Sequence, residues 1–208
     1  MAITGSVNSS MSLDGVTGSQ SLAPTGTLIE KSSPLTLAPA LQCSTWARTS
    51  DTVAVFTVAN TLSNGNKVAI FWAAGYVTDA VVSLASSSGF TATVSNLVLP
   101  GGSTAQTVLP LANTAVNIGL LTQATGLSIV GSALQQLLVQ STQPGLVELF
   151  DNSGTPVIRR TSIITTANGF DGWPTSAGQA VPFTQTIVTV NFYNNSANTA
   201  IMQVVALS

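Results

Sequence analysis

No histidine occurs among the 208 residues. That single absence removes His-based triads, histidine general bases, the two-histidine-one-carboxylate metal site and the common catalytic zinc arrangements. There is one cysteine, Cys43. It permits no intrachain disulfide of the kind on which small secreted scaffolds rely, and no thiolate metal cluster. As a nucleophile it would need a non-histidine activator, which is unusual. Cys43 is read instead as a small buried hydrophobe.

Charge is almost as scarce. Five basic and seven acidic side chains make up 6% of the chain, where about a quarter is usual. Between Asp79 and Glu148 there is no charged residue. Either Ser, Thr, Asn and Gln supply the surface polarity, as on a Ser/Thr-coated secreted monomer, or broad faces are buried against partners. Burial is the expectation, because a small soluble monomer keeps far more surface charge. A net charge of −2 without a basic run argues against gripping a phosphate backbone. Arg159–Arg160, the only basic pair, is expected at a strand edge or subunit contact.

Long apolar runs are missing too. Gly, Pro, Asn, Gln and Ser interrupt the uncharged stretch before eighteen apolar residues accumulate, so no membrane span is expected. The opening "MAITGSVNSSMSLDG" has neither a positive n-region nor an apolar h-region, and no signal peptide is expected from it. Sequons at Asn8 and Asn194 would matter only in a glycosylating compartment.

What the chain does have is a 45% apolar fraction, enough to fill a core, and a length suited to one large β-domain or two small ones. Residues 1–34 are rich in Ser, Gly and Thr with isolated aliphatics. They read as an extended N-terminal arm whose Val7, Met11, Leu13, Val16 and Leu22 could dot a neighbouring surface, or equally as a loose terminus. Residues 35–208 form the body.

In that body "TVAVFTV" (52–58) and "NKVAIFWAAGYV" (66–77) are rich in β-branched and aromatic residues and are joined through Asn64–Gly65, a strong turn signal. Strands follow at 80–87 and 89–99, the second with Phe90, Ala92 and Val94 on one face at period two. "PGGS" (100–103) is a turn. Residues 105–112 read as a strand that Pro110 confines to an edge or an end.

Helix competes in one place. Leu127, Val130, Leu134, Leu137 and Leu138 recur at three- and four-residue spacings, and "SALQQLLVQ" holds good helix formers, which predicts a short helix over about 132–140. Residues 146–150 and 155–166 then form a hairpin around Asp151–Gly154, whose residues suit such a turn. Residues 167–183 read as a long loop. The final strands, 185–192 and 200–207, echo 52–71 in plan, so two similar hairpins are expected to bracket the sheets. Together these elements predict an all-β, antiparallel β-sandwich, a jelly roll among its forms, with at most one short helix.

Seven carboxylates remain for acid–base work: Asp14, Glu30, Asp51, Asp79, Glu148, Asp151 and Asp171. Only Glu148 and Asp151 are close in sequence. Asp151 is better explained as a turn former, while Glu148 is expected to face solvent or to pair with Arg159 or Arg160 across the hairpin. "NGFDGWP" (168–174) is the most distinctive surface-like motif. Its Phe170, Asp171 and Trp173 could contact a subunit or a ligand, or tuck back onto the body as an Ω-like loop. There is no nucleophile elbow, P-loop or dinucleotide fingerprint. No cofactor and no enzymatic activity are expected.

These features favour a structural assembly subunit, a viral or phage shell or capsid-decorating protein located in the virion. Its partners would be copies of itself or another shell protein, with neither nucleic acid nor membrane bound directly. Two alternatives stand beside it. One is a microbial filament, adhesin or surface-layer subunit at the cell surface. The other is a carbohydrate-binding module using Trp46, Trp72, Tyr76 or Trp173.

Overall fold

The computed structural model describes residues 2–3, 10–13, 16–19, 26–50, 52–73, 75–94, 97–98, 104–105, 114–159, 169–173 and 181–207. Before Ser32, and at 97–98, 104–105, 156, 158–159 and 169–173, it describes the backbone alone. The described residues form twenty strands and one three-residue 3₁₀ turn, Gly131–Ala133. The fold is all-β, with antiparallel sheets and minimal helix.

The first strands are β1 (Ala2–Ile3), β2 (Ser10–Leu13), β3 (Val16–Ser19), β4 (Gly26–Lys31), β5 (Leu35–Leu37), β6 (Leu41–Cys43) and β7 (Trp46–Arg48). Next come β8 (Val53–Phe56), β9 (Lys67–Trp72), β10 (Gly75–Ser86), β11 (Gly89–Thr93), β12 (Leu97–Val98) and β13 (Thr104–Ala105). The chain continues with β14 (Val116–Val130), β15 (Gln136–Ser141), β16 (Gly145–Asp151), β17 (Pro156–Arg159), β18 (Gly169–Trp173), β19 (Thr186–Asn194) and β20 (Ala200–Leu207).

Two compact units divide these strands, and β14 and β19 each contribute to both. The first unit comprises Met1–Leu37, Thr122–Phe192 and Ala200–Ser208. In it a six-stranded sheet runs β1-β4-β20-β15-β18, with β5 also on β20, and a second set of strands runs β17-β16-β19-β14. Leu137, Val139, Met202 and Val204 from the first set share one buried cluster with Ile129, Val147, Leu149, Ile187, Val190 and Phe192 from the second. Two sheets that bury their inner faces against each other make a sandwich.

The second unit comprises Ala38–Leu121 and Tyr193–Thr199. Its strands run β14-β9-β10-β11-β8-β7, with β6 on the other edge of β14. Trp46, Phe56 and Phe90 lie side by side on β7, β8 and β11. Their rings stack at 5.4 and 5.1 Å, each pair adding about 0.5–1.5 kcal/mol beyond its buried area. The Trp46 indole also donates to the Thr114 carbonyl at 2.8 Å, which draws β7 toward the start of β14 and curls the sheet around its core. Phe90, Ala92 and Val94 face that core, as their period-two spacing predicts. Cys43 is buried in it, its thiol donating to the Thr45 carbonyl at 3.3 Å.

Several expectations are corrected. The helix over 132–140 is a strand: after the 3₁₀ turn, Gln136–Ser141 runs between β20 and β18. All six of its residues are buried. A strand covered on both faces loses the alternation that distinguishes it from a helix. The 66–77 segment breaks at its middle, and the hairpin there joins β9 to β10.

Neither of the two echoing hairpins forms. β8 pairs with β7 and β11, while β19 and β20 pair with different partners altogether. Asn64–Gly65 does turn the chain, with Gly65 at φ +87°. That turn docks on β10 through Gly65 N–H to the Val82 carbonyl at 2.8 Å and Ala85 N–H to Asn64 Oδ1 at 2.9 Å.

The expected loop over 167–183 contains β18, which supplies the second edge partner that β15 needs. Residues 106–113, which hold most of the expected 105–112 strand, lie outside the described residues, as does the "PGGS" turn. The hairpin read over 146–166 forms over its described part, with 160–166 outside the described residues: β16 pairs with β17, and Asp151 accepts from Ser153 N–H, the Ser153 hydroxyl and Thr155 N–H at 2.7–2.9 Å. The chain's last described strand is tied into a sheet interior, between β15 and the β4 and β5 strands.

Candidate functional site

In the second unit, the segment after β19 is fastened by its own asparagines. Tyr193 is fully buried, its hydroxyl donating to Asp79 Oδ1 at 3.4 Å. The Asn194 amide donates to the carbonyls of Ala38 at 2.9 Å and Asn198 at 2.7 Å, and its Oδ1 accepts from Ser196 N–H at 2.9 Å. This sequon nitrogen is therefore enclosed and engaged by the fold. Ala40 N–H to the Ser196 carbonyl at 2.8 Å completes the clamp. Asn195, half-buried, is thereby presented to β14.

There the Asn117 Nδ2 donates to both the backbone carbonyl of Asn195 at 3.1 Å and its Oδ1 at 3.0 Å. The backbone carbonyl can only accept, so it fixes which way the Asn117 amide points. That in turn fixes Asn195 with its oxygen inward. The Asn117 Oδ1 and the Asn195 Nδ2 are left without a protein partner among the described residues.

These amides border a cleft of about 320 Å³ lined by Phe71, Trp72, Ala73, Ala115, Asn117 and Asn195. Phe71 sits opposite Asn117 in the β9–β14 register and packs on Tyr76 with ring centres 6.2 Å apart. Trp72 is half-buried, its indole resting against Gly75, where an added Cβ would lie 3.1 Å from Cζ2. Among the described residues the lining has no charged or titratable side chain. These side chains can hold and orient a neutral molecule, and none of them could move a proton.

Of the four aromatic residues considered for a sugar platform, Trp46 is a core residue. Trp72 reaches the cleft. Asn117 and Asn195 were not distinguishable in the sequence, since they lie 78 positions apart and the Asn-rich connector read as a hairpin tip. Phe170, Asp171 and Trp173 lie on β18, opposite Gln140, Val139 and Leu137 of β15, and their side chains lie outside the described residues. Among the arm positions, Met11, Leu13 and Val16 lie on the β2–β3 hairpin, where Leu13 opposes Val16. Val7 and Leu22 lie outside the described residues.

Glu148 does not face solvent. It is 2% exposed, on β16, and accepts from the Asn191 amide at 3.3 Å, while Gln123 donates to Asn191 Oδ1 at 2.8 Å. Its backbone partner across the hairpin is Arg159, whose side chain, like Arg160, lies outside the described residues. Asp151 is a turn former, and the two carboxylates have separate surroundings. Asp79 lies at a bulge in β10 with φ +56° and pairs with Lys67 at 3.5 Å. Among the described residues no group of three or more His, Cys, Asp or Glu could hold a metal ion, and no helix is long and apolar enough to cross a membrane.

Comparison with protein-family models, with curated proteins and with solved structures returns no match.

Proposed function

We propose that this chain is a non-catalytic structural assembly subunit that joins copies of itself, or a second shell protein, into a shell of the viral or phage kind. The observation that carries this reading is the outward face of β7, β8, β11 and β10. One row across it is Ala47, Val55, Thr91 and Ser83, and the next is Val53, Thr93, Val81 and Lys67. Lys67, at the rim, is the single charge in either row. Val55 and Val81 are 40% and 38% exposed, and Leu84 beyond them is 78% exposed. A nearly uncharged sheet face with exposed valines among small polar residues suits a subunit interface.

The N-terminal strands support the same reading. β4 and β5 both add to one edge of β20. Strand addition of this type is also how an arm engages a neighbour's sheet. In this proposal the arm spans residues 1–34 on a β-sandwich body of 35–208, with a jelly-roll form of the sandwich. Val7, Met11, Leu13, Val16 and Leu22 are its contacts, Phe170, Asp171 and Trp173 form a further subunit contact, and the assembled protein resides in the virion. Neither cofactor nor nucleic acid takes part.

The test is a Val55→Lys, Val81→Lys double variant. Both side chains are exposed, so circular dichroism and thermal midpoint should change little while the assembled fraction in electron micrographs falls sharply. Unaltered assembly in this variant would remove the face from the account.

A further inference from the structure

We propose that the Trp72–Asn117–Asn195 cleft binds a neutral carbohydrate, one hexopyranose ring at a time. The site is independent of the assembly reading: it rests on the second unit alone and would serve a monomer as well as a shell subunit.

Three features of the cleft select the ligand. Among the described residues its lining carries no charge. A nucleotide or other phosphate-bearing ligand would need Lys or Arg nearby, and an acidic sugar would need a cation to pair with. The ligand is therefore neutral.

The polar pair is the second feature. Asn117 Oδ1 accepts and Asn195 Nδ2 donates, and both are held rigid because the other half of each amide is committed to the bond between them. Adjacent hydroxyls of a sugar, each both donor and acceptor, satisfy such a fixed pair with one hydroxyl giving its proton to Asn117 and the next receiving one from Asn195. A purely apolar ligand would leave both groups unpaired, which is costly once water is excluded.

The third is the aromatic wall. Trp72 presents a partly exposed indole braced by Gly75, and Phe71 closes the floor. The C–H face of a pyranose covers an indole of this kind, since an aromatic group supplies a large, rigid apolar surface with little conformational entropy to lose. Pockets for small ligands run from about 300 to 1,000 Å³. A cleft of about 320 Å³ is at the lower limit, which fits one ring and leaves the rest of an oligosaccharide outside.

Saturation-transfer difference NMR on the full chain tests this, using millimolar neutral oligosaccharides of gluco, galacto, manno and N-acetylglucosamine configuration, with adenine as a non-sugar aromatic control. At least one sugar should receive saturation, strongest on the ring C–H protons of a single residue. Asn195→Asp keeps the oxygen that accepts from Asn117 and replaces the free donor by an acceptor at almost unchanged shape. It should bind about tenfold more weakly with an unchanged melting temperature. Trp72→Ala should abolish transfer, and Gly75→Ala, which pushes the indole, should weaken it. No transfer to any of the sugars overturns the proposal. So does transfer that survives both Trp72→Ala and Asn195→Asp, or transfer to adenine in preference to every sugar.

Discussion

The backbone carbonyl of Asn194 occupies the place where any side chain on Gly119 would begin. An alanine Cβ built there meets the carbonyl oxygen, with the carbonyl carbon at 3.2 Å and the amide nitrogen at 3.3 Å. Both partners are main chain, β14 on one side and the end of β19 on the other, so neither can rotate away. Gly119 is thus a requirement of close approach, and its backbone φ is not in the left-handed region.

Gly119→Ala should therefore destabilise the protein by about 1–3 kcal/mol, the cost of forcing a methyl into a packed contact. Urea unfolding measures it as a lower midpoint with the slope retained. A neutral result would mean that the Asn194 segment moves aside freely.

Asn194 should be more sensitive than any of the exposed asparagines. Its amide holds Ala38 and Asn198 and receives Ser196, and it is fully buried. Replacement by alanine leaves two carbonyls and one N–H in want of partners, a loss of about 2–3 kcal/mol. Asn64→Ala, at an exposed turn with one bond to Ala85, should cost about 1 kcal/mol or less. Thermal or urea unfolding of the two variants checks the order.

The Asp151 carboxyl is held below its ordinary value of 3.8, chiefly by the Ser153 hydroxyl, then by the backbone N–H of Thr155, with desolvation opposing and the Ser153 N–H adding least. A carboxyl lowered in the folded state stabilises the fold above 3.8 and loses that contribution as pH falls through the lowered value. Asp151→Asn should be less stable than the parent at neutral pH, and the difference should shrink as the solution is acidified below 3.8. Melting temperatures across that range test it. A difference that stays constant on acidification would mean that the charge contributes nothing.

The sequence made the local features legible and hid the long-range ones. Period two in Phe90, Ala92 and Val94 and the chemistry of Asp151–Gly154 depend on neighbours in the chain, and both appear as read. Gln136–Ser141 misled because its two faces are both covered, so its leucines carry no alternation. Asn64–Gly65 misled differently: the turn is real, but its free groups bond to β10, and the flanking strands find partners elsewhere. The same happens at 195–199, where the connector passes between sheets. The polar pair at Asn117 and Asn195 has no signature in either segment, because only the paired strands bring the two amides together. Likewise the two cores, one around Val139 and Phe192 and the other around Phe56 and Phe90, draw on interleaved parts of the chain that composition cannot separate.

The central claim is that the uncharged faces exist to be covered by other subunits. Light scattering of the purified full-length chain tests it most directly, because the mass in solution requires no assumption about which face is used. A particle many times the 21.1 kDa chain mass, stable on dilution, is the predicted result. A single species at the chain mass over the whole concentration range would contradict it.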